Sequence, residues 1–283
     1  MSGETKVKVI LITLFLGLLI VNLAKKRKTE EPTEYETVLM TEQREIITDD
    51  DIVKISSGLV QPVLYTKISK LPSLPPFEEK NRFINIILPA ILVAKYELDQ
   101  DLTRLNSLLA AQTWSSEDSL FLKALSKQYK TDKIDLLQER LLTHPNSIVL
   151  AQAAVESGWG TSRFFRRANN LFGVWSFDPK EPRIPASVAR PDFQVYLRKY
   201  DDISESIKDY FKTIARHRGY KAFVEKRKTS NNVQELVPLL RSYSERGEAY
   251  TRQILSMIRF NEFEQYDSYI LDPKYIVAKA IMK

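Results

Sequence analysis

The chain has 283 residues, 43% of them apolar, no Cys, two His and a formal net charge of +6. Without Cys there is no disulfide, no thiol nucleophile and no lipid-modified N-terminal Cys; His144 and His217, far apart in sequence, read as surface or packing residues rather than as a metal site or a Ser-His-Asp triad. The positive balance permits nucleic acid, anionic lipid or an acidic polymer as partner, but the basic clusters RFFRR, RHRGYKAFVEKRK and KKRK carry no nucleic-acid-binding signature, so no nucleic-acid partner is expected.

Val9 to Ala24, VILITLFLGLLIVNLA, is apolar apart from Thr13 and Asn22 and follows Lys6 and Lys8. A helix over that run covers about 24 Å against a hydrocarbon core of about 30 Å, a difference that lysines at its ends can make up. Residues 1–28 therefore read as an N-terminal anchor in the inner membrane, a signal segment being the alternative. Glu30 to Asp51 is acidic, and QP and LPSLPP follow, so residues 29–76 read as a tether, with the folded domain starting near Phe77.

From Asn81 to Ala110 the apolar residues recur at helical spacing, and Pro89 marks a kink or a start. Further helices are expected at Ser116–Tyr129, Asp132–Leu142, Ile203–Ala215, Val233–Tyr243 and Glu248–Phe260. Between Asp178 and Tyr200, four Pro and then the alternation FQVYLRKY indicate a loop and a short strand or hairpin. The fold class is mainly α (α+β), with residues 77–265 as the domain and residues 266–283 as a C-terminal tail.

The informative stretch is PNSIVLAQAAVESGWGTSRFFRRANNLFGVW. Asn146 or Ser147 is a candidate cap, and Ile148 to Val155 is apolar on nearly every face, as a buried helix requires. Glu156 closes the run, and Gly158 and Gly160 stop the helix. A carboxylate at a buried helix's C-terminal end feels desolvation and the negative end of the dipole, both favouring the protonated form that a general acid needs. The plainer reading is an exposed helix-end residue, or one paired with Arg163 or Arg166. Around it, the glycines permit close backbone approach, Trp159 and Trp175 offer flat apolar faces to sugars, and Asn169 and Asn170 offer amides to hydroxyl or acetamido groups.

AQAAVESGWGTSRF…NNLFGVW resembles the signature of the glucosaminidase domain family, glycoside hydrolase family 73. SESIKDYFKTIARHRGY, LRSYSERGEAYTRQILSMIRFNE and FINIILPAILVAKYELDQDLTRL resemble its Bax-like bacterial branch, so the similarity runs from about Phe77 to Phe263. The resemblance implies a lysozyme-like fold with a small β element beside a glycan cleft, and hydrolysis of the β-1,4 bond between N-acetylglucosamine and N-acetylmuramic acid in peptidoglycan. It implies no cofactor and no metal. Glu156 matches the family's catalytic acid, and Tyr243 a Tyr near the reacting sugar; Tyr250 in the same motif joins Trp159, Asn169, Asn170 and Trp175 as expected substrate-binding residues.

One departure matters. Where the family often carries a second carboxylate this chain reads FQVYLRKY, leaving Glu181 and Asp192, and less plausibly Asp201, as candidates. If neither serves, the substrate's acetamido group or a water held by Tyr243 completes the reaction. A lytic transglycosylase or muramidase on the same fold, or a tethered glycan binder that does not cut, are the competing readings. A cell-wall enzyme must face the periplasm, whereas KKRK at Lys25–Lys28 favours a cytoplasmic C-terminal side; the site outweighs that bias, since large domains are exported despite it.

Overall fold

Residues 34–186 and 194–281 are described by the computed structural model, in two compact units. The smaller is a ribbon in which β1 (Glu34–Leu39) pairs antiparallel with the strand Ile276–Ile281, Glu34 opposite Ile281 and Leu39 opposite Ile276. The expected membrane segment at Val9 to Ala24 lies outside the described residues, among which no helix is long and apolar enough to cross a membrane.

The larger unit, Met40–Tyr275, begins well before Phe77. Strand β2 (Glu42–Ile46) runs parallel to β4 (Val63–Ile68), and β3 (Leu59–Val60) parallel to β8 (Ile270–Leu271). Ile46, Val60, Val63 and Tyr65 are buried, and the Tyr65 hydroxyl accepts from the Val53 amide at 2.9 Å. The tether expected over residues 29–76 is thereby corrected from Met40 to Ile68. Its composition is polar on average, but Ile46, Ile52, Val60, Val63, Leu64, Tyr65 and Ile68 are buried, and Asp51 folds back to accept from the Ile47 and Thr48 amides. The expected C-terminal tail is corrected likewise: β8 adds to the unit, and the Tyr266 carbonyl and Asp267 carboxylate accept from Asn146 and Ser147.

Helix α1 (Pro76–Ala110) is the long rod of the unit, with Pro at its start and Glu78 and Glu79 in its first turn, where the exposed amides favour acid. Pro89 lies inside it, between the buried Leu88 and Ala90, so it interrupts one backbone hydrogen bond without starting the helix. There follow α2 (Ser116–Tyr129), α3 (Ile134–Leu141), α4 (Asn146–Ser157) and α5 (Arg163–Ala168). A three-stranded antiparallel sheet of β5 (Trp175–Ser176), β6 (Arg183–Pro185) and β7 (Tyr196–Arg198), with β7 central, is inserted before α6 (Ile203–Arg216). Next are α7 (Lys221–Lys226), the single turn α8 (Val233–Leu236), a 3-10 helix Val237–Tyr243, α9 (Glu248–Phe260) and a 3-10 helix Phe263–Ser268. The continuous helix expected over Val233–Tyr243 tightens to 3-10 at Pro238, whose missing N–H breaks the α pattern. The architecture is mainly α with one small sheet, and α4 sits at its centre against α1, α9 and the 3-10 turn Phe263–Ser268.

Candidate active site

Helix α4 is fixed at both ends. Asp267 caps its start, accepting from the Ser147 amide at 2.7 Å and its hydroxyl at 2.8 Å, while Asn146 accepts from the Lys95 ammonium at 2.8 Å. The cap expected from Asn146 or Ser147 is thus supplied from far along the chain. Between the ends, Ile148, Val149, Leu150, Ala151, Ala153 and Ala154 are fully buried, each large side chain contributing about 1.5–3 kcal/mol of apolar burial. Gly158 stops the helix in the left-handed conformation at φ 57°, and Trp159 follows at φ 56°, a costly geometry for a bulky residue. The Trp159 ring is held edge-on to Phe83 at 5.4 Å and against Phe263 at 6.1 Å. Gly160 permits close approach, but to protein: a Cβ there would stand 3.1 Å from the Phe165 ring.

Glu156 projects from the last turn of α4 with one side open to solvent. Protein crowds its other sides. That desolvation raises its pKa above the usual carboxylate range, against the opposing Tyr250 hydrogen bond and the charge of Arg246. Among the described residues no cation stands within ion-pair distance of it, so the expected alternative, pairing with Arg163 or Arg166, is not realised; the Arg163 guanidinium donates instead to the Pro185 carbonyl at 2.6 Å.

Behind the carboxylate runs a buried chain of hydrogen bonds. The Tyr250 hydroxyl donates to Glu156 Oε1 at 2.9 Å and accepts from Gln152 Nε2 at 2.9 Å; Gln152 Oε1 accepts from the Tyr210 hydroxyl at 2.6 Å, and His144 Nε2 lies 2.9 Å from that hydroxyl. With the Tyr210 proton on Gln152, His144 donates through Nε2, and its Nδ1 is buried without a partner. Desolvation, then the charges of Arg227 and Lys95, drive the His144 pKa well below 6.5, so the ring is neutral. Tyr243 closes the cluster, stacked on Tyr250 with centroids 5.4 Å apart and planes within 12°. It is half-buried, and the protein around its hydroxyl pushes that phenol well above the ordinary tyrosine range.

The other expected residues separate. Asn169 and Asn170 are corrected from substrate binding to scaffolding. The Asn169 amide donates to the Thr66, Tyr200 and Asp201 carbonyls, that of Asn170 to the Val174 and Arg198 carbonyls, and both side chains are buried. The Trp159 ring is half-buried, packed against Phe83 and Phe263 with the Lys80 ammonium over it at 5.4 Å, and Tyr250 is buried and turned toward Glu156. Trp175, 44% exposed at the start of β5, does present an open face, with the exposed Phe177 ring 6.1 Å away. Glu181 is held by Arg198 at 3.3 Å, and Arg198 also reaches the buried Asp209 at 2.8 Å, to which the Tyr200 hydroxyl donates at 2.7 Å. Asp192 lies outside the described residues. No trio of metal-ligating side chains converges among the described residues.

Sequence reasoning passed over Gln152, Tyr210 and His144. The signal for Gln152 was available: it is the one polar side chain inside the apolar run, and at i, i+4 from Glu156 it shares that residue's helix face. Tyr210 and His144 left no such mark, because their meeting with Gln152 depends on tertiary packing.

Residues 132–263 match the family model described as mannosyl-glycoprotein endo-beta-N-acetylglucosaminidase. The chain is 28% identical over 214 residues to protein bax of Escherichia coli K12, covering 69% of this chain and 76% of that one. Among solved structures, it is similar to the glycoside hydrolase domain of Salmonella typhimurium FlgJ, 25% identical, covering 53% of this chain and 89% of that one with a TM-score of 0.35. It is also similar to the catalytic domain of the autolysin Auto of Listeria monocytogenes, 21% identical, covering 58% and 96% with a TM-score of 0.37.

Proposed function

Because residues 132–263 belong to the glucosaminidase domain family, in its Bax-like branch, we propose that this chain hydrolyses peptidoglycan as an endo-β-N-acetylglucosaminidase with Glu156 as general acid. The observation that carries this reading is the state of Glu156: a solvent-reachable carboxyl whose pKa is raised by desolvation, with no cation paired to it and one phenol aimed at it. A general acid must hold its proton near neutral pH and release it to a leaving oxygen, and this environment favours both. Glu156 protonates the glycosidic oxygen as the bond to the N-acetylglucosamine carbon breaks.

The second half of the reaction needs a group to meet the developing oxocarbenium ion. Glu181, neutralised by Arg198, is poorly suited to that task, so the substrate's 2-acetamido oxygen or a water held by Tyr243 supplies the electron pair. Trp175 and Phe177 offer an exposed aromatic platform for the glycan. A peptidoglycan substrate places the domain in the bacterial cell envelope on the periplasmic side, with residues 9–24 as its inner-membrane anchor.

The deciding experiment is incubation of the whole chain and of Glu156→Gln with purified peptidoglycan, followed by mass analysis of the new ends. Free N-acetylglucosamine reducing ends, absent with the variant, bear out the proposal. N-acetylmuramic acid reducing ends would make the enzyme a muramidase, anhydromuramic ends a lytic transglycosylase, and no cleavage at all a glycan binder.

A further inference from the structure

The chain of hydrogen bonds behind Glu156 contains one link whose direction is not fixed by its shape. A primary amide has an oxygen and an NH2 of nearly equal size, so rotating the Gln152 amide by half a turn fits the same two tyrosine hydroxyls at 2.9 and 2.6 Å. In the orientation described above every donor points toward Glu156, which suits a carboxylate. In the reversed orientation Gln152 Oε1 accepts from Tyr250, and Gln152 Nε2 donates to Tyr210. Tyr210 then donates to His144 Nε2, whose proton has moved to Nδ1. The Tyr250 oxygen is then free to accept from a protonated Glu156.

We propose that Gln152 is a positioning residue for the general acid, its amide reversing so that Tyr250 donates to the Glu156 carboxylate in one orientation and accepts from the Glu156 carboxylic acid in the other. Both states keep four hydrogen bonds, and proton count balances: Glu156 gains one proton from solvent, and His144 exchanges tautomer without changing charge. The neutrality of His144 is what lets it serve either role, and its burial, followed by the charges of Arg227 and Lys95, keeps it neutral. Around Glu156 the other ionisable groups are Arg246, Tyr243 and Tyr220, with Tyr210 and Tyr250 in the chain itself. None of these offers Tyr250 a second acceptor.

The inference rests on Glu156 being the general acid, and two readouts separate the two ideas. The first is the alkaline limb of kcat/KM on peptidoglycan fragments, which reports the free enzyme's essential acid. The second is the titration of the Glu156 carboxyl followed by carbon-13 NMR, with Glu156→Gln used to assign the signal; it needs no activity. Gln152→Met keeps the volume and removes the acceptor, so Tyr250 must stay committed to Glu156, which favours the carboxylate. The expected result is a downward shift of both limb and titration by about half to one pH unit, the scale of one buried donor losing its alternative partner. Tyr210→Phe is the control for general damage: it takes two hydrogen bonds from each orientation, so it costs stability while leaving limb and titration near their original pH. An unmoved or raised titration in folded Gln152→Met, or an equal shift in Tyr210→Phe, would overturn the proposal. Full hydrolysis by Glu156→Gln would instead overturn the general-acid reading, leaving the NMR titration to judge Gln152.

Discussion

Glu156 and Glu181 are both part-open carboxylates, and the fold holds them in opposite ways. Around Glu181 it builds a charged network, in which Arg198 bridges Glu181 and Asp209 while Tyr200 donates to Asp209. Around Glu156 it assembles a chain of neutral groups only, Tyr250, Gln152, Tyr210 and a neutral His144, on a helix with no charged residue but Glu156 itself. The lesson is that hydrogen-bonding partners alone do not prepare an acid. A guanidinium engages a carboxylate as an ion-pair partner and ties it into the scaffold, whereas phenols and amides orient Glu156 and leave desolvation as the largest influence on its pKa.

The sharpest way to break this contrast is Glu156→Gln. Its loss is expected to reach about a thousandfold in the release of reducing ends from peptidoglycan, within the range that general acid catalysis supplies. Its melting temperature should change little, because the amide oxygen still accepts from Tyr250. Tyr250→Phe is the next largest. It removes the bond that favours the carboxylate, so the Glu156 pKa rises further and the alkaline limb of kcat/KM moves up by about one pH unit, opposite in sign to Gln152→Met. It also strands the buried Gln152 amide, at a cost of about 1–3 kcal/mol in denaturant unfolding. A limb that moved down in Tyr250→Phe would mean that the phenol had been favouring the acid.

The two regions also differed in how far they could be read from sequence. The apolar run Ile148–Val155 ending in Glu156 and Gly158 is a local pattern, and α4 ends there as that pattern requires. Ser116–Tyr129 and Glu248–Phe260 have the limits that helical periodicity assigned, because each carries its own face and its own stop. The roles of Asn169 and Asn170 were misread because an exposed and a buried amide look alike in sequence; only the fold shows that backbone carbonyls of β4, β7 and the turn before α6 already occupy them. Met40 to Ile68 was misread for a related reason. Averaged polarity hides Ile46, Val60, Val63 and Tyr65, and a parallel pairing of β2 with β4 leaves no hairpin signature between adjacent strands.

Trp175→Ala probes the platform rather than the acid. The side chain is exposed, so stability should hold within about 0.5 kcal/mol, while the KM for glycan should rise several-fold with kcat nearly unchanged, the pattern of lost uniform binding. An unchanged KM would move the glycan platform away from β5.

Glu181→Gln carries the smallest expected effect and decides the most about mechanism. The pair it breaks is partly solvent-exposed, so by the ordinary worth of such pairs the loss of stability should stay below about 1 kcal/mol. Arg198 retains Asp209 at 2.8 Å, which keeps the buried carboxylate compensated. If the acetamido group or a Tyr243-held water completes the reaction, hydrolysis by Glu181→Gln should stay within about threefold of the unaltered chain, far above Glu156→Gln. A loss as severe as that of Glu156→Gln would mean that Glu181 leaves Arg198 when substrate binds and acts as the second carboxylate. Asp192→Asn and Asp201→Asn complete the test, because they remove the other local carboxylates that the sequence offers. Retained activity in all three variants leaves Glu156 without a local partner carboxylate, and the contrast with Glu181 then marks the line between a carboxylate used to build and one kept free to react.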